Sequence, residues 1–194
     1  SQQAAIDQHL LVSPLDAAGL GLAAGWEKTG WPDWTLYRPI AEAALAGGLG
    51  IRSANLDREQ TRALSRDGVA ALDPALVERL GLGAPLPEEQ RLAIESEIVE
   101  GHCGHAPAKA LPSMVLVQRA RDAQMASALR EAAGAGDGAV LIAGNGHVRR
   151  DHGVPARLLE QDPFARAATV SILEVIPELE RPEAYVHELG LAGP

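Results

Sequence analysis

The chain has 194 residues, 46% of them hydrophobic and 22% charged, which suits one folded domain carrying at most a subdomain and argues against disorder, collagen or coiled coil. Against 17 basic residues stand 26 acidic ones, a net charge of -9, so broad electrostatic binding to nucleic acid or anionic lipid is disfavoured. A single cysteine, Cys103, rules out an internal disulfide framework and a multi-thiolate metal centre, and aromatics at 3% leave little for stacking on single-stranded nucleic acid.

Ser1-Gln2-Gln3 carry neither a charged n-region nor an apolar h-region. The chain reads either as a mature product or as a trimmed one, so any signal lies outside this sequence. No uninterrupted apolar run approaches the ~18 residues of a membrane span. Helical patterns cover residues 2–11 and 37–46. Leu49 to Asn55 then reads as a first strand, reached through Gly47-Gly48. The next interval, 56–138, is far longer than a minimal βαβ crossover and almost wholly helical in pattern, with helices expected over 87–99 and 114–133. A second strand is expected at Ala139 to Ala143, between Gly138 and Gly144, followed by a short helix over 154–161. A third, Thr169 to Val175, is β-branched and stops before Pro177. Apolar runs flanked by glycine suit buried parallel strands. The expected fold is α/β: a parallel-sheet α/β/α core over 1–55 and 139–194, with 56–138 inserted as a helical-bundle subdomain. Three strands make a small sheet, so the core is expected to be incomplete at its N-terminus.

Ligands of open parallel sheets bind at the carboxyl ends of strands. The second strand runs into Gly144-Asn145-Gly146-His147-Val148-Arg149-Arg150-Asp151-His152-Gly153-Val154-Pro155. Gly144 and Gly146 permit positive φ and close backbone approach. His147 falls just past the strand end, either as a site residue or as a hydrogen-bonded structural histidine in a glycine turn. Glu100-Gly101-His102-Cys103-Gly104-His105 offers two imidazoles and a thiol, but at neither HExxH nor paired CxxC spacing. His102 continues the apolar stripe of Ile94 and Ile98, so a core or interdomain histidine is favoured there over a metal ligand. All three tryptophans lie in the stretch from Gly25 to Pro39, together with Tyr37 and Arg38. That stretch is either a satellite core or a flat wall for a planar ligand, with Arg38 available to a carboxylate. Gln118 to Asp122 reads as the polar face of a long helix.

Four stretches together resemble the ChaN-like family of haem-binding, iron-regulated proteins within the Tiki/TraB group. They are GWPDWTLYRPIAEAAL, EEQRLAIESEIVEGHCG, MVLVQRARDAQMA and GNGHVRRDHGVP, in order from Gly30 to Pro155. The resemblance implies an α/β domain with a smaller helical bundle, and haem binding in iron acquisition. It implies an exported protein, periplasmic or anchored to the outer membrane as a lipoprotein, with a haem receptor or transporter as partner. A homodimer closing over the flat haem is compatible with it. The wider group also contains metal-dependent hydrolases whose late histidine matches His147, but their early Gly-Glu-x-His motif is absent from this chain. The position of His152 is usually tyrosine in the family, and either residue can ligate haem iron.

These readings combine into a haem-binding protein without catalytic activity. The alternatives are a Tiki-type hydrolase using His147 and a divalent metal, or a partner-binding scaffold. The axial ligand is expected to be His152 or Tyr37, with Arg38 or Arg149 near the propionates and His147 in the site. His147 and His102 are the candidates for a divalent metal. Neither nucleic acid nor a membrane span is expected.

Overall fold

The computed structural model describes residues 2–134, 138–175 and 181–185. It divides into two compact units, Ser1–Ser53 and Ala54–Pro194.

The first unit holds α1 (Gln2–Val12), α2 (Ala17–Ala23) and α3 (Arg38–Ala46). Asp16 starts α2 by accepting the Gly19 backbone N–H at 2.9 Å, so an otherwise orphaned donor is satisfied. Pro39 sits in the first turn of α3, where its fixed φ and missing N–H cost nothing. Ile6, Ala17, Leu20, Ala41 and Leu45 form a small core, with Trp34 and Ile51 packed against it.

The second unit holds α4 (Arg58–Asp67), α5 (Pro74–Arg79), α6 (Glu88–Gly101), α7 (Leu111–Gly134) and α8 (Val154–Gln161). Asp57 and Gln60 form a reciprocal capping box at the start of α4. The central α7 packs against α4, α6 and α8. One face presents Ala120 and Ala123 to Leu56, Leu64, Leu72, Leu80 and Leu82. Small residues there let the leucines interlock close to the α7 backbone. Further along, Met125 and Ala126 meet Val154, Leu141 and Leu158. Between Ala120 and Ala123 in sequence, α7 also buries a charged side chain, Asp122.

The parallel-sheet α/β/α core expected from the sequence is not what forms. Among the described residues there is no strand and no sheet, and the architecture is helical. The expected first strand is instead tied to α1. The Ser53 backbone N–H donates to Gln3 Oε1 at 2.7 Å, and its hydroxyl donates to Gln2 Oε1 at 2.7 Å. Glutamine side chains thus occupy backbone and side-chain groups that a neighbouring strand would have paired. In the expected second strand, Leu141 and Ala143 turn toward the Met125 cluster while Val140 is 90% exposed. In the expected third, Val170 and Ile172 point outward at 80% and 83% exposure. Both stretches keep the alternation of a strand, but neither has a ladder partner, and β propensity is expressed only through pairing. The helical part of the expectation for 56–138 corresponds to α4 to α7, with no sheet for it to stand from.

Candidate functional site

Two regions gather the residues singled out by sequence, one in each unit. In the first unit, a 3₁₀ turn at Trp26–Lys28 and another at Trp34–Leu36 bring three tryptophans and Tyr37 together. Trp26 lies 4.8 Å from Trp34 and 4.8 Å from Tyr37 between ring centroids, and Trp31 lies 5.2 Å from Tyr37. Edge and tilted arrangements of this kind favour the aromatic quadrupoles. Two indoles are anchored at their polar ends: Trp34 Nε1 donates to the Ala17 carbonyl at 2.9 Å and Trp26 Nε1 to the Pro32 carbonyl at 2.8 Å. Tyr37 is half-buried, and its hydroxyl makes no hydrogen bond among the described residues. Leu22 and Leu36, in the flanking α2 and 3₁₀ turn, are mostly exposed. Arg38 is exposed and pairs with Glu42 one helical turn later at 2.8 Å.

The second unit holds the imidazoles. His147 sits in a 3₁₀ turn at Asn145–Val148, just before the start of α8. Its Nδ1 lies 2.6 Å from Asp122 Oδ1. With the carboxylate as acceptor, Nδ1 is the protonated nitrogen and Nε2 carries the lone pair. The Gln118 amide nitrogen Nε2, one turn earlier on α7, lies 3.1 Å from the same Nδ1; with Nδ1 protonated it is a second donor facing that atom and not its acceptor. Asp122 is fully buried, and its second oxygen, Oδ2, has no partner among the described residues. Burial pushes the Asp122 carboxyl above its usual range, and the hydrogen bond from His147 opposes that rise.

His152 lies in the same loop. Its side chain is 1% exposed; Nε2 lies 2.7 Å from Glu97 Oε2 on α6, and Nδ1 lies 3.2 Å from Asp151 Oδ1 without hydrogen-bond geometry. Arg149 reaches the same Asp151 with two nitrogens, at 3.0 and 2.7 Å. Burial works to raise the Asp151 carboxyl, but the Arg149 hydrogen bonds and the neighbouring His152 and Arg149 charges bring it down to about 2.

The glycines of this loop matter through close approach. Neither Gly144 nor Gly146 uses the positive φ that glycine permits. A Cβ on Gly146 would lie 2.0 Å from Glu97 Oε1, so the missing side chain is what admits that carboxylate. A Cβ on Gly153 would meet the His147 and Arg149 carbonyl oxygens at 2.6 and 2.7 Å. Those are backbone atoms and cannot swing aside, so the turn from His147 to Gly153 closes only over glycine.

His102 is not on a packed stripe. It caps the end of α6 and is exposed, with Nδ1 2.7 Å from the Ile98 carbonyl oxygen, and Cys103 and His105 beside it are exposed too. Among the described residues, no three His, Cys, Asp or Glu are grouped to hold a metal ion. The strand-end placement expected for His147 is replaced by a position against α7. Two partners were missed by sequence reasoning. Asp122 looked like a polar-face residue, yet it falls seven residues after Val115 and four before Ala126, both buried on α7. That spacing was the available signal. Glu97 had no comparable signal, because α6 has a single fully buried residue, Ile94.

The model for haem-binding uptake proteins of the Tiki superfamily, ChaN, matches residues 1–158, which include both regions. The chain belongs to this ChaN family. No curated protein and no solved structure matches it significantly. No helix among the described residues is long and apolar enough to cross a membrane. The side chains present fit the haem that the ChaN family name implies. Haem iron takes imidazole or phenolate as an axial donor. Among the described residues, Tyr37 and His147 both present such a donor with one atom not engaged in a hydrogen bond, whereas His152 faces a carboxylate at each nitrogen.

Proposed function

We propose that this protein binds haem and serves haem or iron acquisition, as an exported protein and not as a hydrolase. The observation that carries the reading is the family match over residues 1–158, which spans the aromatic wall and every candidate donor. Two features support it. The cluster of Trp26, Trp31 and Tyr37 offers partly exposed aromatic edges and faces, tilted 49–72° to one another and so not a single flat wall, with Arg38, paired to Glu42, on the next helix. The second unit offers an imidazole already held at one nitrogen, with Arg149 two residues away in the same loop. When bound, haem would supply the iron chemistry; Tyr37 or His147 would supply a donor to it, and Arg38 or Arg149 would supply charge for its propionates.

Titration of the purified chain with ferric haem tests the reading. A saturable Soret band shifted from that of free haem is expected. A spectrum identical to haem in buffer up to a large molar excess refutes haem binding.

A further inference from the structure

We propose that His147 Nε2 is the axial donor to haem iron, and that Asp122 is the positioning residue that fixes it. This rests on the haem-binding reading above and names the donor within it. The argument begins with what each imidazole has left to offer. His152 is sealed, with Glu97 at one nitrogen and Asp151 beside the other. His147 is different: Nδ1 is committed to Asp122 at 2.6 Å, and the side chain retains 9% exposure. Among the described residues of this unit, the buried, unpartnered side-chain atoms are Asp122 Oδ2, His152 Nδ1, Arg157 Nε and Gln161 Oε1. His147 Nε2 is not among them and makes no hydrogen bond among the described residues, so it is the ring nitrogen left accessible.

Imidazoles that ligate metals nearly always donate their other ring N–H to a carboxylate, carbonyl or water. That second contact fixes the tautomer, orients the ring and makes the free nitrogen a stronger donor. Asp122 meets these conditions closely. It is fully buried on the longest helix, so its position is set by packing and not by solvent. Its Oδ2 has no partner among the described residues, so among them it accepts from His147. Burying a carboxylate in this way is costly unless a partner needs it.

An axial donor backed by a carboxylate stabilises ferric over ferrous iron, so the pair also sets the redox preference of the complex. The test compares haem complexes of the wild-type chain, His147→Gly, Asp122→Asn, Tyr37→Phe and His152→Ala. His147→Gly is expected to shift the Soret band and lose at least ~10-fold in affinity, with added imidazole restoring both. Asp122→Asn is expected to keep a histidine-ligated spectrum, weaken binding by ~10-fold or more and raise the midpoint potential. Tyr37→Phe and His152→Ala are expected to leave the Soret position unchanged. If His147→Gly does not fold, His147→Gln in its place preserves side-chain bulk and a hydrogen-bonding group toward Asp122. An unaltered spectrum in the His147 variant, or a shift carried by Tyr37→Phe or His152→Ala, overturns the assignment. So does an Asp122→Asn complex with unchanged affinity and potential. Each of these outcomes leaves haem binding by the wild type standing; loss of the wild-type Soret shift would remove the haem reading itself.

Discussion

The aromatic wall of the first unit and the imidazole loop of the second reach order by opposite routes. In the wall, rings pack edge to face and only their polar tips are tied, by two indole hydrogen bonds to carbonyls. Tyr37 contributes area and leaves its hydroxyl unengaged by the described residues. In the loop, area contributes little: charged and polar groups are held within hydrogen-bond distance, and glycines make room for the contacts. The contrast teaches that removing a polar atom should be harmless in the wall and costly in the loop, while removing bulk should do the reverse.

The comparison breaks first, and hardest, at Trp34. Trp34→Ala removes a ring packed on the first unit's core together with its bond to the Ala17 carbonyl, and a loss of about 3 kcal/mol is expected in urea denaturation. A loss well under 1 kcal/mol would show that the wall is surface decoration. In the loop, Glu97→Ala leaves His152 Nε2 without its partner in a nearly fully buried ring, which should cost about 1–3 kcal/mol. Glu97→Gln keeps an acceptor and should cost less; equal costs would mean that charge and not the hydrogen bond matters. Gly153→Ala drives a methyl into two carbonyl oxygens, and about 1–3 kcal/mol of destabilisation is expected, with a lowered melting temperature as the readout.

Acid should distinguish the loop next. The Asp151 carboxyl is depressed to about 2 in the fold, against 3.8 for a free aspartate side chain. Its contribution is therefore present above the unfolded value and is lost as pH falls through the folded one. Stability measured between pH 4 and pH 2 should fall less steeply in Asp151→Asn than in the wild type; identical slopes would show that the Arg149 contact contributes nothing. The side chain is 42% exposed, so the effect is small. Smallest of all is Tyr37→Phe, which removes only a hydroxyl unengaged by the described residues and should leave the melting temperature within a degree or so of wild type.

Legibility in the sequence follows the same physical divide. Helices were readable because their signals are local. Apolar spacing, Pro39 and Pro155 in first turns, and acidic residues at the start of α6 gave α1, α3, α6, α7 and α8 to within a few residues. Strands were not, because the alternation at 139–143 and 169–175 is a request for a partner that the sequence cannot show to be granted. Site residues divide likewise. His147 and His152 stood out by residue type and glycine context. Asp122 and Glu97 sit 25 and 55 residues from the imidazoles they meet, and only packing of α6 and α7 brings them there. His102 was misplaced because helix periodicity was carried past the point where α6 ends.

The most direct test of the central claim uses the wild-type chain. Resonance Raman spectroscopy of its ferrous haem complex reports the iron–axial-ligand stretch without any substitution. An iron–imidazole stretch, raised in frequency by the Asp122 hydrogen bond and lowered again in Asp122→Asn, is the result predicted here. A phenolate signature in the ferric complex with no iron–imidazole stretch in the ferrous one would contradict the account, and would move the donor from the loop to the wall.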